Sequence, residues 1–308
     1  MSYKKKTLNI RKLVSYIWHL SIIQFFIPAR FYSSWEYRRN TGKKLNLNNP
    51  KTFNEKLQWL KLFDNNPFYT KLVDKYEVRK YVAEKIGKEY LVPLVGVYES
   101  PQDIPFSELP EQYVLKCTHD SGTVIIKNST SILTEREIKQ ELRNAMKRNY
   151  YYEHRERPYK NITPRIICEK YMVDETGSEL KDYKVFCFNG KPKLIQVDYG
   201  RFTKHHRNLY DIEWNYLPFS IQYPTDSSIH INKPNKLPDM LRLATVLAKD
   251  FPHVRVDFYS IYDRLYFGEM TFYHGAGLEK ITPDEYNLYL GEFISLPYED
   301  NNRSKVKK

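Results

Sequence analysis

The stretch VRVDFYSIYDRLYFGEMTFYHGAG, residues 254–277, decides how this chain is read. Within residues 255–259 and 267–271, Arg255, Asp257 and Tyr259, and Glu269 and Thr271, carry charge or hydroxyl at every second position with Val256, Phe258 and Met270 between them, the period of strands that bury one face. Paired as a hairpin around a turn near residues 262–264, they set Asp257 opposite Glu269 and Arg255 opposite Thr271, all on one face. Val256, Phe258, Met270 and Phe272 take the other face. Two carboxylates, a guanidinium and a hydroxyl on one sheet face suit a magnesium phosphate site, where oxygen ligands hold the metal and a cation takes the remaining phosphate charge. The plainer alternative is a cross-strand ion-pair cluster on a solvated face.

Upstream, VLKCTHDSGTVIIK (residues 114–127) puts Lys116 at the end of an apolar strand, followed by a short polar turn and a second strand. Such a hairpin can fold backbone N–H groups and a lysine over phosphates without a Walker sequence, which this chain lacks. CEKYM (residues 168–172) is an apolar strand running into a linker able to offer backbone groups to a purine edge. Asn189-Gly190, between YKVFCF and KPKLIQV, predicts a type I′ hairpin. Helices are expected near residues 134–149 and 238–249, and the pattern is α+β, dominated by antiparallel hairpins. The N-terminal third reads as mostly helical. Capping boxes pair Thr52 with Glu55, Thr134 with Glu137 and Thr282 with Glu285, the last with Pro283 at the first helical position. Leu72, Tyr76, Val82 and Ile86 predict one helix that stops at Gly87.

The 308 residues suffice for one large domain or two modest ones, and with 41% hydrophobic residues the chain can bury a real core. The formal net charge of +12 sits largely at the ends: residues 1–12 carry five Lys or Arg and residues 303–308 four, without an acid, which leaves +3 between them. That distribution excludes a body-wide basic groove. Lys147, Arg148, Arg155 and Arg157 mixed with Tyr150, Tyr151, Tyr152 and Tyr159 have the texture of a single-strand platform, but Glu153 and Glu156 dilute it. No nucleic-acid partner is expected. Cys117, Cys168 and Cys187 make an odd count with no pairing or metal spacing, which argues for a reducing, cytoplasmic setting.

Residues 13–28, LVSYIWHLSIIQFFIP, are too short and too interrupted to span a bilayer. On a helix, Lys12, Ser15 and His19 make a narrow polar stripe beside Ile17, Trp18, Ile22, Phe25 and Phe26. Two readings stand: a helix lying on an anionic membrane surface, which adds peripheral attachment at the inner face of the membrane, and a core helix packed on the rest of the protein.

The order of features is a lysine strand, a glycine turn, a helix, a Glu-Lys-aromatic hinge, an Asp182-x-Lys184 strand, a hairpin, a helix, then Arg-x-Asp and Glu-x-Thr. In that order the chain resembles the ATP-grasp superfamily, and more closely its teichuronopeptide-synthesis (TupA-like) branch. The resemblance runs from about residue 44 to 296, through LNNPKTFNEKLQWLK, DKYEVRKYV, YVLKCTHDSGTVIIK, DYKVFCFNGKPKLIQVD and YFGEMTFYHGAGLE. It implies an ATP-grasp fold, two α+β subdomains sandwiching ATP: a lid at 91–172 and a base with the magnesium site at 173–298, after a helical region at 1–90 and before a basic tail at 299–308.

Residue by residue, the resemblance implies that Lys116 meets the α- and β-phosphates and that the turn through His119, Ser121 and Gly122 is the phosphate lid. Glu169, Lys170 and Met172 would hold adenine, and Asp182 the ribose. Lys184 would add a nucleotide or phosphate contact, Arg255 would face the γ-phosphate, and Asp257 and Glu269 would bind Mg2+. Many ATP-grasp ligases have Asn where this chain has Thr271, so the third ligand is Thr271 or water. His274 lies where the family's substrate loop falls. The implied activity is ATP- and Mg2+-dependent ligation through an acyl phosphate, joining an amine or amino acid to a carboxylate-bearing sugar of a cell-surface polysaccharide or its precursor. Two other classes stay open. A glycosyltransferase of the same pathways commonly uses Asp-x-Asp, a spacing absent here, and a nucleotide-binding protein without turnover is kept open by Thr271.

Overall fold

The computed structural model of the chain describes residues 26–174, 180–200 and 204–297. The amphipathic stretch read at 13–28, up to residue 25, and the basic tail at 299–308 lie outside the described residues. Among the described residues no helix is long and apolar enough to cross a membrane.

Helix α1 (Ala29–Thr41) is followed by α2 (Phe53–Phe63), which starts at the predicted capping box: Thr52 accepts from the Glu55 N–H and the Glu55 carboxylate answers the Thr52 N–H. The predicted second helix is broken into α3 (Phe68–Val73) and α4 (Val78–Lys85). Asp74 breaks it, because its side chain accepts from the N–H groups of Tyr76 (2.8 Å) and Glu77 (3.2 Å), a local bond that competes with helix continuation.

Two sheets follow, each antiparallel and each with its own core. Strands β1 (Leu94–Tyr98), β2 (Tyr113–Cys117), β3 (Val124–Lys127) and β4 (Ile166–Lys170) form the first, in the order β1-β4-β2-β3. Helix α5 (Glu135–Met146) starts at the predicted Thr134 capping box. It buries Ile138, Leu142 and Ala145 at helical spacing, in one cluster with Leu115, Cys117, Ile125, Ile166 and Cys168. The chain then makes α6 (Tyr151–His154) and crosses to the second core, where Ile162 is buried.

The second sheet contains β5 (Asp182–Phe188), β6 (Lys191–Tyr199) and β7 (His206–Tyr210), the short β8 (Ser220–Ile221) standing apart. After α7 (Leu237–Ala248), β9 (His253–Ile261) and β10 (Arg264–Thr271) complete the order β10-β9-β5-β6-β7. Asn189 and Gly190 turn β5 into β6 with φ of 47° and 76°, the type I′ pattern read from sequence. Val185, Val256, Phe258 and Met270 share a core with Leu243, Ala244 and Leu247 of α7, and Phe53, Leu57 and Leu60 of α2 belong to the same core. Residues 53–85 are therefore built into this half of the molecule. Last come β11 (Ile281–Thr282), paired with β8, and α8 (Glu285–Glu292). Here the third capping box is corrected: Thr282 is a strand residue opposite Ser220, and α8 begins after Asp284 with no side-chain cap.

Candidate functional site

The hairpin that opened the sequence reading is present, with one correction. Thr271 faces Arg255 and Met270 faces Val256 as expected, but Phe267 faces Phe258, so Gly268 and Glu269 together oppose Asp257. The turn is the two residues Tyr262 and Asp263, with φ of 46° and 59°, and the bulge absorbs the residue that a longer turn would have taken. Without it Phe267 and Glu269 would share a face. Gly268 permits the bulge, since a Cβ there would stand 3.2 Å from the Asp257 carbonyl oxygen.

On the polar face thus formed, Arg255 binds Asp257 through Nε (2.7 Å) and Nη2 (2.8 Å), and Nη2 also reaches Glu269 Oε1 (2.6 Å). Lys184, which faces Asp257 from β5, donates to Asp257 (2.9 Å) and Asp182 (3.0 Å). Thr271 Oγ1 donates to Glu269 at 3.0 Å. The ion-pair cluster is real but not solvated: Arg255, Asp257 and Lys184 are 8%, 2% and 8% exposed. Buried ions are weak sources of stability, so a cluster of them is a candidate for function. Burial pushes the Glu269 carboxyl up, but Arg255, Lys184 and Lys75 outweigh it and hold the group below its ordinary value. Glu269 keeps a half-exposed side chain at the edge of this cluster.

In the first sheet, Lys116 Nζ pairs with Glu169 Oε2 at 2.7 Å, and Arg79 of α4 holds Oε1 at 3.2 Å. Val124 and Ile126, opposite Lys116 and Val114, are 45% and 39% exposed. Apolar side chains left uncovered beside a lysine and a carboxylate make a surface suited to a flat heterocycle. Ser121 and Gly122 are exposed at the tip of the β2–β3 turn, Gly122 with φ 107°. His119 is buried, and its Nε2 donates to the Ala145 carbonyl of α5 at 3.3 Å, so its side chain braces the turn from behind. Lys170 is exposed, Met172 is half-buried, and the Lys170 N–H is taken by Pro93 O at 2.9 Å.

Helix α4 ties the first sheet to the second half: Arg79 holds Glu169 of β4, while Val78 and Val82 of the same helix lie in the second core. Burial pushes the Tyr259 hydroxyl of β9 well above its ordinary value, and the carboxylates of Asp182, Glu269, Asp257 and Glu169 push it the same way.

Sequence reasoning missed Lys75 and Arg79 in DKYEVRKYV. The break at Asp74 turns Lys75 inward, where its Nζ donates to the carbonyls of Cys117 (3.0 Å) and Asp120 at the β2–β3 turn. Burial lowers its pKa, while Asp120 and Glu269 raise it. Five of the nine residues of DKYEVRKYV are charged, so nothing in the sequence singled these two out. Of the basic-aromatic stretch around residue 150, Arg155 is turned inward, 2% exposed and 4.1 Å over the Tyr32 ring, whereas Lys147, Arg148 and Arg157 are exposed. His274 is also 2% exposed, between Arg255 and Glu279.

Residues 55–295 match the family described as TupA-like ATPgrasp. The chain belongs to the TupA-like ATP-grasp family. Its fold, two α+β units of antiparallel sheet and helix, is accordingly an ATP-grasp fold. Among solved structures it is similar to a D-alanine–D-alanine ligase from Bacillus anthracis complexed with ATP, at 16% identity over 65% of this chain and 53% of that one, with a TM-score of 0.37. It is similar to an N5-carboxyaminoimidazole ribonucleotide synthetase in its ADP complex, at 16% identity over 71% and 50%, with a TM-score of 0.41. It is also similar to the ATP-grasp ligase PsnB with a precursor variant, Mg and ADP, at 9% identity over 70% and 58%, with a TM-score of 0.38. Likenesses so distant transfer no residue role, and the chain spans only 50 to 58% of those three proteins' lengths. No curated protein matches it.

Proposed function

We propose that this TupA-like ATP-grasp protein is an ATP- and Mg2+-dependent carboxylate–amine ligase, with a lid at about residues 91–172 and a base at 173–298. The observation that supports this reading is the cluster on one face of the second sheet, where Asp182, Asp257 and Glu269 are paired with Lys184 and Arg255 and where Lys184, Arg255 and Asp257 are buried. Lys116 and the backbone of the turn at Ser121 and Gly122 bind the α- and β-phosphates, with Lys75 holding that turn in place. Val124 and Ile126 support adenine above the hinge at Glu169, Lys170 and Met172, and Asp182 takes the ribose. Lys184 and Arg255 supply positive charge at the phosphates, Arg255 at the γ-phosphate.

Asp257 and Glu269, with Thr271 beside them, would hold the magnesium. Among the described residues no three His, Cys, Asp or Glu side chains gather as a metal cage. Two carboxylates within reach of one guanidinium nitrogen nevertheless fit an ion that normally takes one or two carboxylates and completes its shell with phosphate and water. When bound, the ion neutralises phosphate charge.

The substrate carboxylate attacks the γ-phosphorus, ADP leaves, and the amine nitrogen then attacks the acyl carbon of the acyl phosphate, releasing phosphate as the amide forms. Family membership favours as the acid a uronic-acid-containing cell-surface glycan or its precursor, and an amino acid or other amine as nucleophile. A peripheral site at the inner membrane face would suit a lipid-linked form. Calorimetry tests the core of the reading: MgATP binds and a panel of UDP-sugars does not. Tight UDP-sugar binding without ATP binding sinks it. With a candidate acid present, hydroxylamine should yield a hydroxamate only when ATP is added.

A further inference from the structure

We infer that His274, held by Glu279, is the positioning residue that aims the Arg255 guanidinium, an inference that rests on the nucleotide reading above. Arg255 Nη1 lies 2.8 Å from His274 Nδ1. A guanidinium only donates, so Nδ1 accepts and the ring proton sits on Nε2, which faces Glu279 Oε2 at 2.6 Å. Burial, with Arg255 and Arg207 near, holds the imidazole below its ordinary pKa against the pull of Glu279, in keeping with a neutral acceptor.

Each member is fixed from a different element. Arg207 of β7 reaches the same Glu279 oxygen at 3.1 Å and anchors on Asp198 at 2.7 Å. The His274 ring stands edge-on against Phe186, 4.8 Å between centroids. Residues 275–277 all have left-handed φ, 52°, 56° and 68°, and α2 clamps the loop: Gln58 donates to Ala276 O (2.8 Å) and Gly277 O (3.0 Å), Lys61 to Ala276 O (3.1 Å). With Nε and Nη2 on Asp257 and Nη1 on His274, the guanidinium plane is set on both of its edges.

Calorimetry of the full chain with MgATP and with MgADP separates aiming from mere packing, because Arg255 is assigned to the γ-phosphate that ADP lacks. His274→Asn sets an amide oxygen where Nδ1 stood and should keep the wild-type preference for ATP over ADP. His274→Gln reaches toward Glu279 instead and gives Arg255 no acceptor, so it should lose on the order of tenfold in ATP affinity with ADP binding unchanged. Equal losses for ATP and ADP, or a His274→Gln protein indistinguishable from a wild type that binds both, overturn this inference alone. A wild-type chain that binds neither nucleotide overturns the nucleotide reading and this inference with it.

Discussion

Arg255 Nη2 stands 2.6 Å from Glu269 Oε1 across a bulged strand pair, and the two partners differ sharply in burial: Arg255 is almost wholly enclosed, while the Glu269 side chain is 47% exposed. The same guanidinium is bidentate on Asp257, which is enclosed as well. The two candidate metal ligands should therefore respond differently to neutralisation.

Glu269→Gln should stop ATP-dependent ADP release and change stability by less than about 1 kcal/mol, the range of exposed pairs. Asp257→Asn should stop it too, but removes a buried charge from between Arg255 and Lys184 and should destabilise by about 3–5 kcal/mol. ADP release read beside thermal melts checks both. Wild-type turnover in the two variants would reduce the cluster to a structural one.

Lys116→Ala should weaken MgATP binding by on the order of tenfold or more, since it removes a charge-assisted contact and leaves Glu169 with Arg79 alone of its two cations. Changing Lys4, Lys5 and Lys6 together to Ala should leave ATP binding unaltered and reduce sedimentation with anionic vesicles, at about 1 kcal/mol per lysine. Vesicle binding indifferent to the triple change and to salt would remove the electrostatic anchor.

The Glu279 carboxyl is raised by burial but lowered more by His274 and Arg207, to about 2. A depressed carboxylate contributes stability that is complete above its unfolded pKa of about 4.5 and fades as pH falls toward 2. Wild type should thus lose stability over that window more steeply than Glu279→Gln, which lacks the contribution at neutral pH. Denaturant melts from pH 7 to 2.5 that run parallel for the two proteins would contradict the assignment.

Gly291→Ala should be among the most destabilising single changes, by roughly 3 kcal/mol or more. A Cβ at Gly291 would stand 2.1 Å from the Lys51 carbonyl oxygen and 2.8 Å from the Thr52 carbonyl carbon, so α8 would be pushed off the start of α2. A melting temperature within a degree or two of wild type would show that α8 and α2 can separate cheaply.

Elements whose cause is local were legible in the chain. The Thr52 and Thr134 capping boxes, the Asn189-Gly190 turn and the alternation of β9 each depend on residues a few positions apart, and each formed as read. Local logic failed where a distant partner or a competing local bond decided. Thr282 became a strand residue because β8 lay beside it, and the helix through Tyr76 broke because Asp74 captured the next turn's N–H groups. The charged quartet was visible as residue types at strand spacing, but its burial, its sharing of one guanidinium and its closure by His274 and Glu279 were not. Alternation settles which side of a sheet a residue takes. It says nothing of what covers that side, and here α2 covers one end of the polar face through Phe53 against Phe186 and Phe188, while the charged end holds the buried Lys184, Arg255 and Asp257. Only packing between elements far apart in the chain turns an alternating strand into a site, because the desolvation that couples these charges arises when the layers close over them.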